Sequence, residues 1–231
     1  MPQKANEPRR QVVNFAFFKV APDWRRLDSG ERAEHRRQFA QIIEKWRQSE
    51  EMIVLPYSLS GLRAEADLML WRVCYSLECL QEFQAELMSS GLGPYLNLTH
   101  SYLAMTRQSQ YRIGGFDPGE KLRCGAAKYA SILPFGKSRQ WYQLPFEERQ
   151  RIVSGYIRAF DDYPRVRLHT LYSFGLDDQE FMLVMESDSL ADIVDLKMIL
   201  RETENSPYTV TDTPNYLAVL STPERVMELL G

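Results

Sequence analysis

The sequence predicts an α+β protein in which one strand-and-helix unit is written twice. Its antiparallel sheets are expected to join in one barrel-like core with helices outside. Two observations carry that expectation. The first is an internal repeat at a period of about 113–114 residues. Ala66-Asp67-Leu68-Met69-Leu70 and Ser76-Leu77 are matched by Gln179-Glu180-Phe181-Met182-Leu183 and Ser189-Leu190. A turn precedes each copy, Tyr57 to Leu62 and Tyr172 to Leu176, and Ser101-Tyr102-Leu103-Ala104 is echoed by Asn215-Tyr216-Leu217-Ala218. The second is hydrophobic periodicity. Each copy reads strand, helix, strand, strand, helix, strand, the split βαβ order of a ferredoxin-like unit.

In the first copy, residues 11–20 are a β-rich run, and 29–48 are helical with Phe39, Ile42, Ile43 and Trp46 on one stripe. Residues 52–60 and 66–75 form a strand pair around a turn at Gly61. Ser76 is placed to cap a helix that runs to Met88, with Glu78 in its first turn. Residues 101–107 close the unit. In the second copy the strands are 128–135, 165–174, 180–186 and 215–221, and the helices are 145–160 and 190–202. The expected division is a disordered tail over 1–10, a first half over 11–113, a linker over 114–127 and a second half over 128–231. The composition of Gly114 to Gly119 marks the linker.

Composition narrows the function classes. A hydrophobic fraction of 44% supplies a real core. A formal charge of −3 and a pI near 5.7 give no basic excess for nucleic acid. No apolar run reaches the roughly 18 residues of a membrane-spanning helix, and residues 1–10 lack the apolar stretch of a secretion signal. Cys74, Cys79 and Cys124 are an odd count without a CxxC pair, which reads as small buried hydrophobes in a reducing compartment, hence the cytoplasm.

The ordered motifs resemble those of the chlorite dismutase / coproporphyrin-haem decarboxylase family. Residues 11–20 with Trp24-Arg25-Arg26-Leu27 look like its opening strand and loop. Tyr57-Ser58, Gly61-Leu62-Arg63, Asp67 and Trp71 are similar to its spaced signature. Ser109, Tyr111, Pro134-Phe135, Lys137, Trp141-Tyr142, Glu147-Glu148-Arg149 and Gly175 to Phe181 follow in the family's order. The likeness covers about residues 11–225. It implies a duplicated ferredoxin-like fold and assembly into a homo-oligomer, often a pentamer. It also implies haem or iron-coproporphyrin as cofactor, bound in the second half. The family's chemistry is chlorite dismutation or peroxide-dependent decarboxylation. By the same resemblance Lys137 contacts a propionate, while Trp141 and Tyr142 wall the cofactor.

Three positions depart from that pattern. The family's iron-binding histidine falls at residue 156, where this chain has tyrosine, and its only histidines are His35, His100 and His169. Val153, Tyr156, Ile157 and Phe160 share a stripe, so Tyr156 is expected to face the interior. There it is either a core residue or, as a phenolate, the iron ligand. The second reading needs a cation, which Arg149 or Arg151 would supply. The family's radical tyrosine is replaced by Leu133; Tyr129 shares its strand face but lies about 13 Å away by strand rise. The third position is the distal slot. Counting from 156 assigns it to His169 as the catalytic residue, and counting back from Gly175 assigns it to Leu168. Alternation sets Arg165, Arg167, His169 and Leu171 on one face, either a site for an anionic ligand or a solvated surface.

Other constellations read as structure. Asp177-Asp178-x-Glu180 has the residues of a hard-metal site but sits at a hairpin turn bent by Gly175. Arg63 and Asp67 are a candidate ion pair, and Arg32 to Arg37 form a solvated helix face. The competing functional expectations are therefore a porphyrin-binding oxidoreductase with altered iron ligation, a haem-free scaffold paralogue, and a binder of some other anionic or apolar ligand. An arginine at 169 would have favoured chlorite chemistry, so among enzymatic readings decarboxylation is preferred.

Overall fold

The computed structural model describes residues 9–111 and 121–231. The glycine-rich centre of the expected linker and most of the expected tail lie outside them. Among the described residues nine strands are formed: β1 Val12–Val20, β2 Ile53–Ser58, β3 Leu68–Cys74, β4 Leu96–Met105, β5 Tyr129–Lys137, β6 Arg167–Tyr172, β7 Phe181–Ser187, β8 Thr209–Thr211 and β9 Tyr216–Leu220. Six helices accompany them: α1 Ser29–Gln48, α2 Leu77–Met88, α3 Arg139–Gln143, α4 Phe146–Arg158, α5 Leu190–Glu202 and α6 Pro223–Glu228. Among the described residues no helix is long and apolar enough to cross a membrane.

The strand order is that of a duplication. The first half pairs as β4-β1-β3-β2 and the second as β9-β5-β7-β6, all antiparallel. Contacts of β2 with β9 and of β4 with β6 join the halves, so eight strands close into a ring. β8 pairs with the end of β5, outside that ring.

Local bonds repeat as the sequence does. Leu62 N–H donates to the Leu59 carbonyl at 2.8 Å, and Leu176 N–H donates to the Ser173 carbonyl at 2.8 Å. Gly61 and Gly175 take the bend that follows, at φ 75° and 73°, where a Cβ would be strained. Ser76 caps α2 by accepting from Cys79 N–H, and Ser189 caps α5 by accepting from Asp192 N–H. The sequence reading started β4 at 101, five residues after its observed start. It also passed over the short turns Gly93–Tyr95 and Ser206–Tyr208, although Pro94-Tyr95 and Pro207-Tyr208 are a further echo of the repeat.

Inward-facing Phe15, Phe17, Tyr57, Trp71, Ile132, Val184 and Tyr216 fill the ring as one apolar core. An eight-stranded barrel has an interior just wide enough for such side chains. Nothing as large as a porphyrin fits inside it, so a ligand of that size would lie outside the barrel. Two residues assigned to the linker belong to this core structure. Leu122 is buried in the barrel, its N–H donating to Gln11 Oε1 at 2.7 Å, and Gly125 N–H donates to Glu186 Oε1 at 2.8 Å.

One expectation about charged residues changes, and another is met. Asp67 pairs with Lys19 at 2.8 Å and accepts from Val20 N–H at 2.9 Å, whereas Arg63 pairs with Glu65 and lies over the Tyr216 ring. Asp67 therefore ties β1 to the β2–β3 turn without Arg63. The acidic turn 177–180 is held by protein donors: Asp177 accepts from Leu103 N–H at 2.8 Å and from Gln179 Nε2 at 3.0 Å.

Candidate functional site

The site lies on the outer face of the second-half sheet. β5 alternates, sending Ala130 and Ile132 into the barrel, while Leu133 and Phe135 face outward. Leu183 on β7 and Leu168, Thr170 and Tyr172 on β6 face the same way. α4 and α5 cover this face incompletely and leave two adjoining cavities. One, of about 210 Å³, is lined by Lys137, Trp141, Val153, Ile157, Leu168 and Thr170, among others. The other, of about 450 Å³, is lined by Leu133, Met185, Val194, Lys197, Met198 and Arg201, among others. Phe135, Tyr156, Leu183 and Asn205 border both. Their combined scale is that of small-molecule and cofactor pockets, about 300–1,000 Å³.

Lys137 is the buried cation of this site. The β5 ladder shifts register between Gly136 and Lys137, which re-aims the strand end toward the helices. Nζ donates to Asn205 Oδ1 at 2.7 Å and to the Asn205 carbonyl at 3.0 Å. It also sits 4.8 Å from the centre of the Trp141 ring. Burial pulls its pKa down to about 7, against the upward pull of the Glu180 carboxylate. Lys197, in the larger cavity, donates to Asn215 Oδ1 at 2.8 Å and is brought down to about 8, again mainly by burial. Lys137 thus titrates near neutrality, where a carboxylate ligand would favour its charged form, whereas Lys197 is pulled down less and stays mainly charged at pH 7.

α3 places the aromatic walls. Ser138 caps it by accepting from Trp141 N–H, and this short helix points Trp141 inward and Tyr142 outward. Trp141 is buried against Lys137. Tyr142 is 38% exposed and does not line either cavity; its hydroxyl donates to Glu180 Oε2 at 2.6 Å, the oxygen that also accepts from Lys137 N–H. Tyr142, expected to wall the cofactor, thus stands behind the cavity wall rather than on its lining. Tyr111 stacks on Phe146 at 5.7 Å, and its hydroxyl accepts from Arg149 Nη1 at 3.0 Å.

His169 is not in the site. β6 turns His169 and Leu171 into the barrel, where His169 bonds Glu186 Oε2 at 2.7 Å and meets Trp71 edge-on at 5.5 Å. Leu168 and Thr170, one residue to either side, face the cavity. Of the two residues between which counting left the distal slot open, Leu168 borders the cavity and His169, the expected catalytic residue, does not. Nor do the two arginines share an anion site with it. Arg165 pairs with Asp192 at 2.9 Å, and Arg167 donates to the Arg123 carbonyl at 3.3 Å.

Tyr156 projects from α4 between the two cavities, packed with Phe160, Val166, Met185 and Leu196. Burial alone raises its hydroxyl pKa, so the neutral phenol is the favoured form. The two arginines that were candidates to support a phenolate are committed elsewhere. Arg149 holds Tyr111, and Arg151 pairs with Glu148 at 2.8 Å and Glu204 at 2.5 Å on the solvent side.

With this geometry in place, the comparisons are decisive for the family. Residues 8–221 match the family model for chlorite dismutase. The chain belongs to the chlorite dismutase family. It is 33% identical over 215 residues to the coproheme decarboxylase of Mycolicibacterium smegmatis, a match that spans 88% of this chain and 87% of that one. The fold is also that of chlorite dismutase from Candidatus Nitrospira defluvii in complex with imidazole, at a TM-score of 0.84 and 24% identity over 95% of this chain and 94% of that one. A heme-binding protein from Thermus thermophilus matches at a TM-score of 0.86 and 20% identity over 99% of this chain and all of that one.

The residues present fit a porphyrin ring but not its iron as an imidazole would hold it. Apolar walls and buried amines suit the plane and the carboxylates of the ring. Of the histidines, His169 and His100 belong to the barrel side, and His35 lies against Tyr95 in the first half. Sequence reasoning missed Asn205, Lys197 and Arg107 as cavity residues, and Glu186 as the partner of His169. The Pro-Tyr echo beside Asn205 was the one signal that pointed to that turn.

Proposed function

We propose that this chain is an oxidoreductase-like member of its family that binds a carboxylated porphyrin, of the haem and coproporphyrin class, in the joined cavities of the second half. The observation that carries this reading is Lys137. It is a buried amine held on an aromatic wall at the edge of an apolar cavity, and a propionate is the natural partner of such a cation. Arg107 lines the same cavity. The coproheme decarboxylase relative adds support.

Of the family's two chemistries, peroxide-dependent decarboxylation fits better than chlorite dismutation, because the distal wall offers Leu168 where chlorite chemistry needs arginine. Turnover by the usual route is opposed at two positions. Leu133 cannot form a radical, and the residue that α4 would offer to a ferric ion is Tyr156. Binding is the activity that the site supports best. The chain's own residues hold carboxylates at Lys137, keep water from the ring face through Leu168, Leu183 and Ile157, and set the cavity mouth through Trp141.

Absorption titration of the purified protein with coproporphyrin, ferric coproporphyrin and haem tests this reading. Saturable binding weakened at least tenfold in Lys137→Met is the expected result, about 1.4 kcal/mol. No saturable binding of any of the three would leave the second reading, a porphyrin-free scaffold, which the substitutions at 133 and 156 favour.

A further inference from the structure

We propose that the joined cavities select the metal-free porphyrin ring over its ferric form. The proposal rests on the porphyrin-binding reading above and adds which state of the ring is taken. The two states share one planar apolar surface and the same carboxylates. Lys137, Arg107, Trp141 and the leucine walls therefore serve both alike, and only the ring centre can separate them.

At that centre the cavity supplies little to a ferric ion, because the carboxylate in its lining, Asp212, is paired with Arg201. From α4 comes Tyr156, whose hydroxyl makes no hydrogen bond among the described residues and is faced by neither Arg149 nor Arg151. The opposite wall is Leu168, with Thr170 beside it. Met185 and Met198 border the larger cavity, but a thioether is a soft donor that suits copper(I) better than a ferric centre. Lys137 is engaged by Asn205 and stacked over Trp141. The imidazole that would serve, His169, points through the sheet to Glu186 in the barrel.

A ferric porphyrin carries a positive charge at its centre and keeps water or an anion on the metal in solution. Entry into this cavity strips that ligation and replaces it with leucine, thioether and an uncharged phenol, at a desolvation cost. The metal-free ring has a neutral centre and no ligand to lose. It gains the same apolar burial and the same carboxylate contacts without that cost. The substitution at position 156 thus acts as a filter on the metal rather than as a loss of the pocket.

Two titrations of the full chain test this, one with metal-free coproporphyrin followed by its fluorescence, the other with ferric coproporphyrin followed by its Soret band. The expected result is at least tenfold tighter binding of the metal-free ring. Tyr156→His should tighten the ferric form at least tenfold, with a shifted Soret band, and narrow the ratio. Equal or tighter binding of the ferric form by the unaltered chain overturns the filter while leaving the porphyrin reading intact. A folded Tyr156→His protein with unchanged ferric affinity overturns it too. If neither ring binds, the porphyrin reading itself fails and this inference falls with it. Should the variant not fold, the ratio in the unaltered chain decides alone.

Discussion

The two halves of the molecule share strand order, turn bonds and helix caps, yet they treat the outer face of their sheets in opposite ways. In the first half, α1 and α2 press Phe39, Ile43, Trp46, Leu80, Phe83 and Leu87 onto Phe18, Leu68 and Leu70. α6 adds Val226 and Met227 to that core. Glu86 fastens the two helices by accepting from Trp46 Nε1 at 2.7 Å while pairing with Lys45 at 2.7 Å. In the second half, α4 and α5 meet the sheet through Tyr156, Val166, Met185, Leu196 and Leu200, and leave two cavities beside them. Lys137 and Lys197 line those cavities beside the aromatic and aliphatic walls. A duplicated unit has thus been packed solid in one copy and left hollow in the other, while the barrel that both copies enclose stays full. The difference teaches that a site can arise on this fold by withholding side chains from one helix–sheet layer.

The sharpest test of the contrast is truncation in the solid half. Phe83→Ala should lower the unfolding free energy by about 3–5 kcal/mol, read as a shift in denaturant midpoint at constant slope. A loss below about 1 kcal/mol would mean that the first-half layer is not the packed one.

The barrel offers the next largest effect. His169→Ala strands the Glu186 carboxylate in the core and should cost about 3 kcal/mol in the same measurement. Porphyrin affinity of the folded protein should be unaltered, since His169 faces away from the cavities. A selective loss of binding would put His169 back in the site.

Filling the hollow half separates binding from folding. Leu183→Trp borrows cavity space, so its stability cost should stay near about 1 kcal/mol, at the low end for an enlarged core residue. Porphyrin affinity should drop at least tenfold in a titration, about 1.4 kcal/mol. Undiminished binding would move the ligand elsewhere.

A smaller effect is expected from pH. Lys137 has its free-state pKa lowered to about 7, and a bound carboxylate favours its charged form and raises that pKa. Affinity is then fully developed below about 7 and falls as pH rises through that value. Titrations across that range should show the slope, and Lys137→Met should flatten it. A slope of the opposite sign would exclude carboxylate pairing at this amine. For folding the sign is reversed. The depressed pKa makes the charged amine a burden, so its contribution to stability is present above the unfolded value and lost as pH falls through about 7.

The smallest effect belongs to the rim. Met198 is 63% exposed on α5, and Met198→Ser should change the unfolding free energy by less than about 0.5 kcal/mol.

Much of this architecture was legible in the chain itself. The repeat, the paired turns at Gly61 and Gly175, the caps Ser76 and Ser189 and the bounds of α1 and α5 follow from neighbours a few residues apart. Local propensity and periodicity act on that scale. So does the identity of Leu133, Lys137, Trp141 and Tyr156, each fixed by its place in a motif. The pairing Lys137–Asn205, across 68 residues, was not legible, because nothing local to either residue specifies the other.

The faces of β6 were decided only by the fold. A strand read alone shows two alternating sets, and the sequence assigned Leu168 and His169 to opposite sides without telling which side was wet, apolar or hollow. Register against β7 and closure of the ring then turned His169 toward Glu186 and Leu168 toward α4. By itself the sequence determined the repeated unit, the family and the loss of an imidazole at position 156. Tertiary structure decided which layer is hollow and which side chains border it, because burial is a property of surfaces that meet only after the chain has closed.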